Sequence, residues 1–379
     1  MLDRDFERFK RELPRDFAAH VRETYAIDLT ARYLGETLPH PIGKGSGQLS
    51  LNEGQLETDA DAGLAFAVLK TVIAQDEAGA QSMAAWAIRE TKMKVERRGG
   101  GWTVTWKGRG WDRSLDDYLA LVRAGRDLTR GGRLLVVPSV KYHLPQLDEP
   151  FRDAEYRYTT GALAAAWRDP PLLVEKDFSP TLAGDALADD RAQILRWLRE
   201  VPERIRAASA IPVRIAMKLM NARFDDAFQV EMVNAAAGAD ALVVFNRLFD
   251  AKLGVAYGGG ELSERNLRVL DAAASSVRPS ARPPIRLCGT GNIHSGRMIV
   301  AYARRGCSSV QLHTFFQLPL EEYAATGGSR TQRALHQLVF DPRDGLVACL
   351  LELEAQGDLE RRDGELRFLD LATDAHHPG

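Results

Sequence analysis

From about residue 40 onward, short runs rich in β-branched residues alternate with longer segments of helical periodicity. That alternation predicts an α/β fold with a parallel sheet and crossover helices. Counting a first strand near PIGKGS (41–46), the runs number eight, which favours a closed (β/α)8 TIM barrel over an open doubly wound sheet. An open dinucleotide-binding sheet also places GxGxxG after its first strand, with an acidic residue about twenty positions on. Here the Gly-rich segment at that place is Gly43-Lys44-Gly45-Ser46-Gly47, and no helix follows it closely.

Taken in order, residues 3–25 carry Phe6, Phe9, Leu13, Phe17 and Val21 at steps of three or four, one apolar stripe on a charged helix packed on the surface. The strand runs after PIGKGS are LAFAVLK (64–70), RLLVVPSV (133–140), PLLVEKD (171–177), VRIAMKL (213–219), ALVVFN (241–246), IRLCG (285–289) and SVQLHT (309–314). Helical periodicity fills the intervals, as in RAQILRWLREVPERIRAAS and ERNLRVLDAAASSV. Two stretches break the rhythm. ERRGGGWTVTWKGRGWDRSLDDY (96–118) reads as a hairpin or lid inserted after the second strand, and Asp363-Gly364 signals a hairpin near the C-terminus. The expected organisation is an N-terminal helical segment (1–32), the barrel (33–340) and a short C-terminal extension (341–379) ending in a disordered HHPG.

Lys and Arg total 50 against 52 Asp and Glu, so no global electrostatic pull toward nucleic acid is expected. Cys288, Cys307 and Cys349 are widely spaced, which excludes a CxxC-based zinc or iron–sulfur site and fits a reducing compartment. MLDRDFERFKRELPRDF has no apolar signal region, and no run reaches the ~18 apolar residues of a spanning helix. A soluble, cytoplasmic protein without membrane insertion is expected, with a small-molecule substrate and a homodimer as its partners.

Barrel chemistry sits at the C-terminal ends of the strands. The seventh run ends in Gly289-Thr290-Gly291-Asn292-Ile293 and the eighth in His313-Thr314, the loops that commonly grip phosphate; a tight turn would explain the glycines as well. Lys70 and Lys218 each end a strand and point either to internal ion pairs or to an anionic or electron-rich cofactor. In Asp177-Phe178-Ser179-Pro180-Thr181 the serine is either a helix cap or a reactive group.

Together these residues resemble the dihydroorotate dehydrogenase family of FMN-binding barrels and the related dihydropyrimidine dehydrogenase barrel. The likeness runs through roughly residues 33–320 and is dense across PVRIAMKLMNARFDD, AAAGADALVVFNRLFD, GGGELSERNL and IRLCGTGNIHSGRMIVAYARRGCSSVQLHT. It implies that Gly45, Ser46 and Gly47 lie against FMN, that Lys70 and Thr71 face flavin and substrate, and that Lys218 contacts the isoalloxazine and ribityl chain. Asn246 would sit at the substrate face. Gly260 and Ser263 match a Gly-rich loop after the sixth strand, where Glu261 replaces a glycine. Gly289, Gly291, Asn292 and Thr314 would hold the phosphate, with Asn292 standing where glycine is usual. Ser179 falls at the family's active-site base and, with Lys70, forms the implied catalytic set.

The substrate side departs from the family. Its ring-reading asparagines are largely replaced: the lid reads TWKGRGWDR, Lys176 and Thr181 flank Ser179, and Arg247 follows Asn246. Such changes alter the substrate, because unpaired buried polar groups are costly. Lys107, Arg109, Arg113, Lys176 and Arg247 are either a solvated basic rim or contacts to an anionic substrate, with Trp106 or Trp111 as a cover. The leading expectation is an FMN-dependent oxidoreductase acting on a CH–CH group of a small anionic molecule, with Asn246, Arg247, Lys176 and Arg109 on the substrate. The alternatives are a phosphate-binding lyase or isomerase using Lys70 or Lys218, and a flavin- or metabolite-binding barrel without turnover.

Overall fold

Pro14 stands in the middle of the stripe that predicts one continuous N-terminal helix, and the chain breaks there into Leu2–Phe9 and Phe17–Tyr25. Proline lacks the N–H a helix interior needs. Asp16 restarts the helix by accepting from the Ala19 N–H. The stripe outlives the break: Phe9, Leu13, Phe17 and Val21 are all buried in the core. The structure is a computed structural model that describes residues 1–84, 93–98, 101–106, 110–178, 190–222, 224–250, 255–257, 260–276 and 286–374.

Among the described residues ten strand segments pair in parallel into one curled sheet. Their order is Val72–Ile73, Ser139–Lys141, Leu172–Asp177, Val213–Met220, Ala241–Asn246, Arg286–Thr290, Cys307–Leu312, Ile42–Lys44, Phe66–Val68 and Leu135–Val137. Each of the eight expected runs holds at least one of these segments, and Val72–Ile73 lies just beyond the second run. Strands such as Leu172–Asp177 are buried along their whole length, as a parallel sheet covered on both faces requires. Six helices that follow strands start at a capping side chain: Asn52, Ser114, Asp190, Asp225, Ser295 and Ser329 each accept a backbone N–H.

The insertion after the second strand is an antiparallel hairpin, Met93–Arg98 with Gly101–Trp106. Trp111 does not cover the mouth: it is buried against Tyr118, donates from Nε1 to the Ser114 carbonyl, and its N–H reaches the Thr71 carbonyl at 2.7 Å. A second hairpin, Leu248–Asp250 with Val255–Tyr257, follows the sixth strand and was not read from the sequence. Near the C-terminus, Asp363 and Gly364 take the positive φ values of a tight turn, but the flanking runs share one bridge, Arg362 to Glu365. Leu366–Arg367 instead pairs in parallel with Ile27–Asp28, so the C-terminal extension and the N-terminal segment are stitched together. The expected disordered HHPG lies outside the described residues. No helix among the described residues is long and apolar enough to cross a membrane.

Candidate functional site

The C-terminal ends of the strands enclose a cavity of about 280 Å³. Gly45 and Ser46 reach it from the first strand, Lys218 from Val213–Met220, and Asn246 and Arg247 from the end of Ala241–Asn246. Gly291 and Asn292 enter from the seventh loop, and Thr314 from the turn after Cys307–Leu312. Thus eight residues singled out in the sequence line one space. Trp102 of the first hairpin closes one side, with the Arg97 guanidinium 5.0 Å from its ring and bonded to Glu322 at 2.9 Å.

The seventh loop is shaped for backbone contact. Gly291 has φ 111°, and a Cβ added there would stand 2.4 Å from Asn266 Nδ2 and 3.1 Å from the Phe245 carbonyl oxygen. Asn292 follows at φ 52°, left-handed backbone that asparagine tolerates better than most residues. Its departure from glycine therefore preserves the turn, and successive N–H groups of such a turn form a concavity suited to anions. A short 3-10 turn, Thr314–Gln317, begins after the neighbouring strand Cys307–Leu312. Gly289 serves packing instead: its hydrogen faces the Tyr302 ring, which an added Cβ would meet at 2.5 Å. Ser263 touches the site through Asn292, whose Nδ2 donates to its Oγ at 3.5 Å, and Gly260 opens the helix Gly260–Ser276.

Behind this loop lies polar wiring that the sequence reading left without a role. Asn266 Nδ2 donates to the carbonyls of Phe245 (3.1 Å) and Thr290 (2.9 Å) and reaches the Tyr302 hydroxyl at 3.1 Å. Asn221 Nδ2 donates to the Asn246 carbonyl at 2.6 Å and to Asn266 Oδ1 at 3.1 Å. These two buried amides fix the strand ends that carry Asn246 and Gly291.

The floor is ionic. Lys218 Nζ donates to Gln311 Oε1 at 3.2 Å and stands 3.7 Å from Glu175 Oε1. Glu175 is fully buried and accepts from Gln311 Nε2 (2.6 Å) and the Tyr33 hydroxyl (3.1 Å). Burial raises its pKa, and Lys218 and Gln311 only partly offset that. A Cβ at Gly45 would lie 3.4 Å from Lys218 Nζ, an ordinary van der Waals contact. Asp177 Oδ2 stands 3.5 Å from Lys141 Nζ. Burial pulls Lys141 down to about 8, against the attraction of Asp177. His313 lines the cavity with its pKa pushed well below the usual value by burial and by the cations Arg247, Lys218, Lys70 and Lys44. The lining thus mixes the cations Lys218 and Arg247 with the carboxylates Asp177 and Glu322.

Other sequence candidates sit nearby without lining the cavity. Lys70 and Thr71 are buried; Thr71 Oγ1 bonds Ser46 Oγ at 2.9 Å and Ser139 Oγ at 3.0 Å, linking the first strand end to the third. A Cβ on Gly47 would strike His313 Nε2 at 1.7 Å, so Gly47 makes room for that ring. Lys176 takes the opposite strand face from Asp177: fully buried, it lies 4.3 Å from the Phe178 ring centre and donates to the Asp177 carbonyl at 3.0 Å. Arg113 bonds the Leu51 carbonyl and covers Trp111 at 4.0 Å. Ser179, Thr181, Lys107 and Arg109 lie outside the described residues. Lys141, Glu175 and Gln311 were not foreseen, and Asp177 was read only as part of DFSPT.

No family model matches the chain, and no curated protein matches it.

Proposed function

We propose that the protein is an FMN-dependent oxidoreductase acting on a small anionic substrate, resembling the dihydroorotate dehydrogenases in cofactor but not in substrate. The observation that carries this reading is convergence: Gly45, Ser46, Lys218, Asn246, Gly291, Asn292 and Thr314 meet in one cavity. We read the ten sheet segments as eight strands closing a (β/α)8 barrel. Phe66–Val68 continues into Val72–Ile73 and Leu135–Val137 into Ser139–Lys141, and pairing between these two strands joins the ends of the sheet order.

The cavity residues fit FMN. The positive-φ turn at Gly291-Asn292 offers backbone N–H groups to a phosphate, and Thr314 lines the same cavity. Lys218, held between Gln311 and Glu175, offers a cation that favours negative charge on a reduced isoalloxazine. When bound, FMN supplies a two-electron acceptor. Arg247 and Asn246 orient the substrate, with Arg247 drawing its anionic group. Ser179, which follows the strand Leu172–Asp177 by two residues, keeps the proton-handling role that the resemblance implies.

The test is the purified protein itself, expected yellow with FMN near one per chain. A colourless preparation that FMN cannot reconstitute removes this reading. Dihydroorotate should give negligible turnover with an artificial acceptor, and robust oxidation would show that the altered substrate residues were overweighted. A second reading, a phosphate-binding lyase or isomerase using an amine, is favoured by one observation: Lys141 is buried beside Asp177 with its pKa lowered to about 8. Such a protein would be colourless.

A further inference from the structure

Glu175 sits two residues before Asp177 on the strand Leu172–Asp177, is fully buried and is not part of the cavity wall. A carboxylate persists at such a place only where other groups stabilise it. The hydrogen bonds of Glu175 are ones it accepts: Gln311 Nε2 and the Tyr33 hydroxyl both donate to Oε2. Its other oxygen, Oε1, stands 3.7 Å from Lys218 Nζ. The Tyr33 oxygen already accepts from Gln311 Nε2 at 3.0 Å, so the surroundings present donors and a cation to Glu175 and suit its charged form. Lys218, Gln311 and Tyr33 thereby work against the burial that raises its pKa.

Gln311 completes the wiring. Its amide is oriented, with Oε1 accepting from Lys218 Nζ at 3.2 Å and Nε2 donating to Glu175 at 2.6 Å. Lys218 and Gln311 both line the cavity. A cation on the cavity wall is thus tied from behind to a carboxylate outside that wall. Two electrons entering a flavin leave negative charge on its ring system. A bare ammonium stabilises that charge, and an ammonium offset by a carboxylate stabilises it less.

We propose that Glu175 is a positioning residue that sets the redox balance of the site: it holds Lys218 directly and through Gln311, and offsets its charge, so that the reduced cofactor is favoured less than Lys218 alone would favour it. This rests on the reading of the cavity as an FMN site. It goes beyond that reading by giving the carboxylate behind the cation a role other than support of the fold.

The test is equilibration of the FMN-loaded full chain with a reference dye of known potential, for wild type, Glu175→Gln and Glu175→Asp. Glu175→Gln keeps the shape and removes the charge. At a fixed dye potential its ratio of reduced to oxidised flavin should rise about tenfold, a positive shift of about 30 mV for two electrons. Glu175→Asp shortens the side chain but keeps the charge, and should stay close to wild type. An unchanged or lower ratio in Glu175→Gln overturns the proposal. So does an equal rise in both variants, which would mark disturbed packing rather than charge. Should Glu175→Gln fail to fold or to keep FMN, Glu175→Gln combined with Gln311→Glu decides. That exchange conserves the net charge but moves the carboxylate next to Lys218, so the ratio should fall several-fold below wild type; a ratio at or above wild type overturns the proposal. A wild-type protein that stays colourless with added FMN fails the cofactor reading and takes this proposal with it, whereas a yellow protein with an unchanged ratio fails the proposal alone.

Discussion

Gly291→Ala tests whether the seventh loop is held by close backbone approach. Two costs add. A non-glycine residue at φ 111° lies beyond the ordinary left-handed region, a strain of roughly 1–3 kcal/mol. The new methyl also arrives 2.4 Å from Asn266 Nδ2, which must move and loosen its bonds to the Phe245 and Thr290 carbonyls, each worth about 1 kcal/mol. The expected total is about 3–5 kcal/mol. Gly357→Ala is the control: φ is 78° and nothing lies within 4 Å of the added methyl, so only the backbone cost of about 1–2 kcal/mol remains. Urea unfolding of both variants gives the comparison, and FMN retention on a desalting column gives a second readout. Gly291→Ala should lose both stability and flavin, and Gly357→Ala should keep its flavin. Equal destabilisation by the two substitutions would refute the claim that Asn266 packs against Gly291.

Lys218→Met strands the buried Glu175 and should cost about 3 kcal/mol in urea unfolding, while Glu175→Gln in the same chain should restore most of it; no recovery would mean that Lys218 and Glu175 are uncoupled. Lys176, pulled down to about 7 by burial, is charged in both folded and unfolded chains below that pH, so its penalty is greatest there. As pH rises from about 7 toward 10.5 the unfolded chain binds more protons, and the penalty, on the order of 5 kcal/mol, is relieved. Lys176→Met should therefore be as stable as wild type or more so at pH 6.5, lose that advantage by pH 9, and leave FMN content unchanged; a pH-independent difference would sink the assignment.

The strands were legible because a parallel sheet buried on both faces writes itself as near-continuous β-branched runs, as in ALVVFN. What escaped was set by short-range backbone chemistry or long-range pairing. Pro14 broke a stripe whose period alone reads as continuous. The Asp363-Gly364 turn formed, yet Leu366–Arg367 pairs with Ile27–Asp28 more than 330 residues away, a partner no local pattern announces. Trp111 followed the same logic: an aromatic in a polar insertion suggests a lid, but its backbone is tied to Thr71 and its ring belongs to the core.

Within the site, legibility divides by how a residue acts. Gly45 and Gly291 were readable as cavity residues from their place at strand ends, whereas Gly289 and Gly47, equally placed, make room for the rings of Tyr302 and His313. Side chains on a strand depend on parity, since successive residues face opposite sides. Along Leu172–Asp177 the choice between Lys176 and Asp177 is a one-residue question, and the contacts answer it: Glu175 and Asp177 meet Lys218 and Lys141, while Lys176 meets Phe178. A charge assigned to the mouth as a cation thus arrives there as a carboxylate.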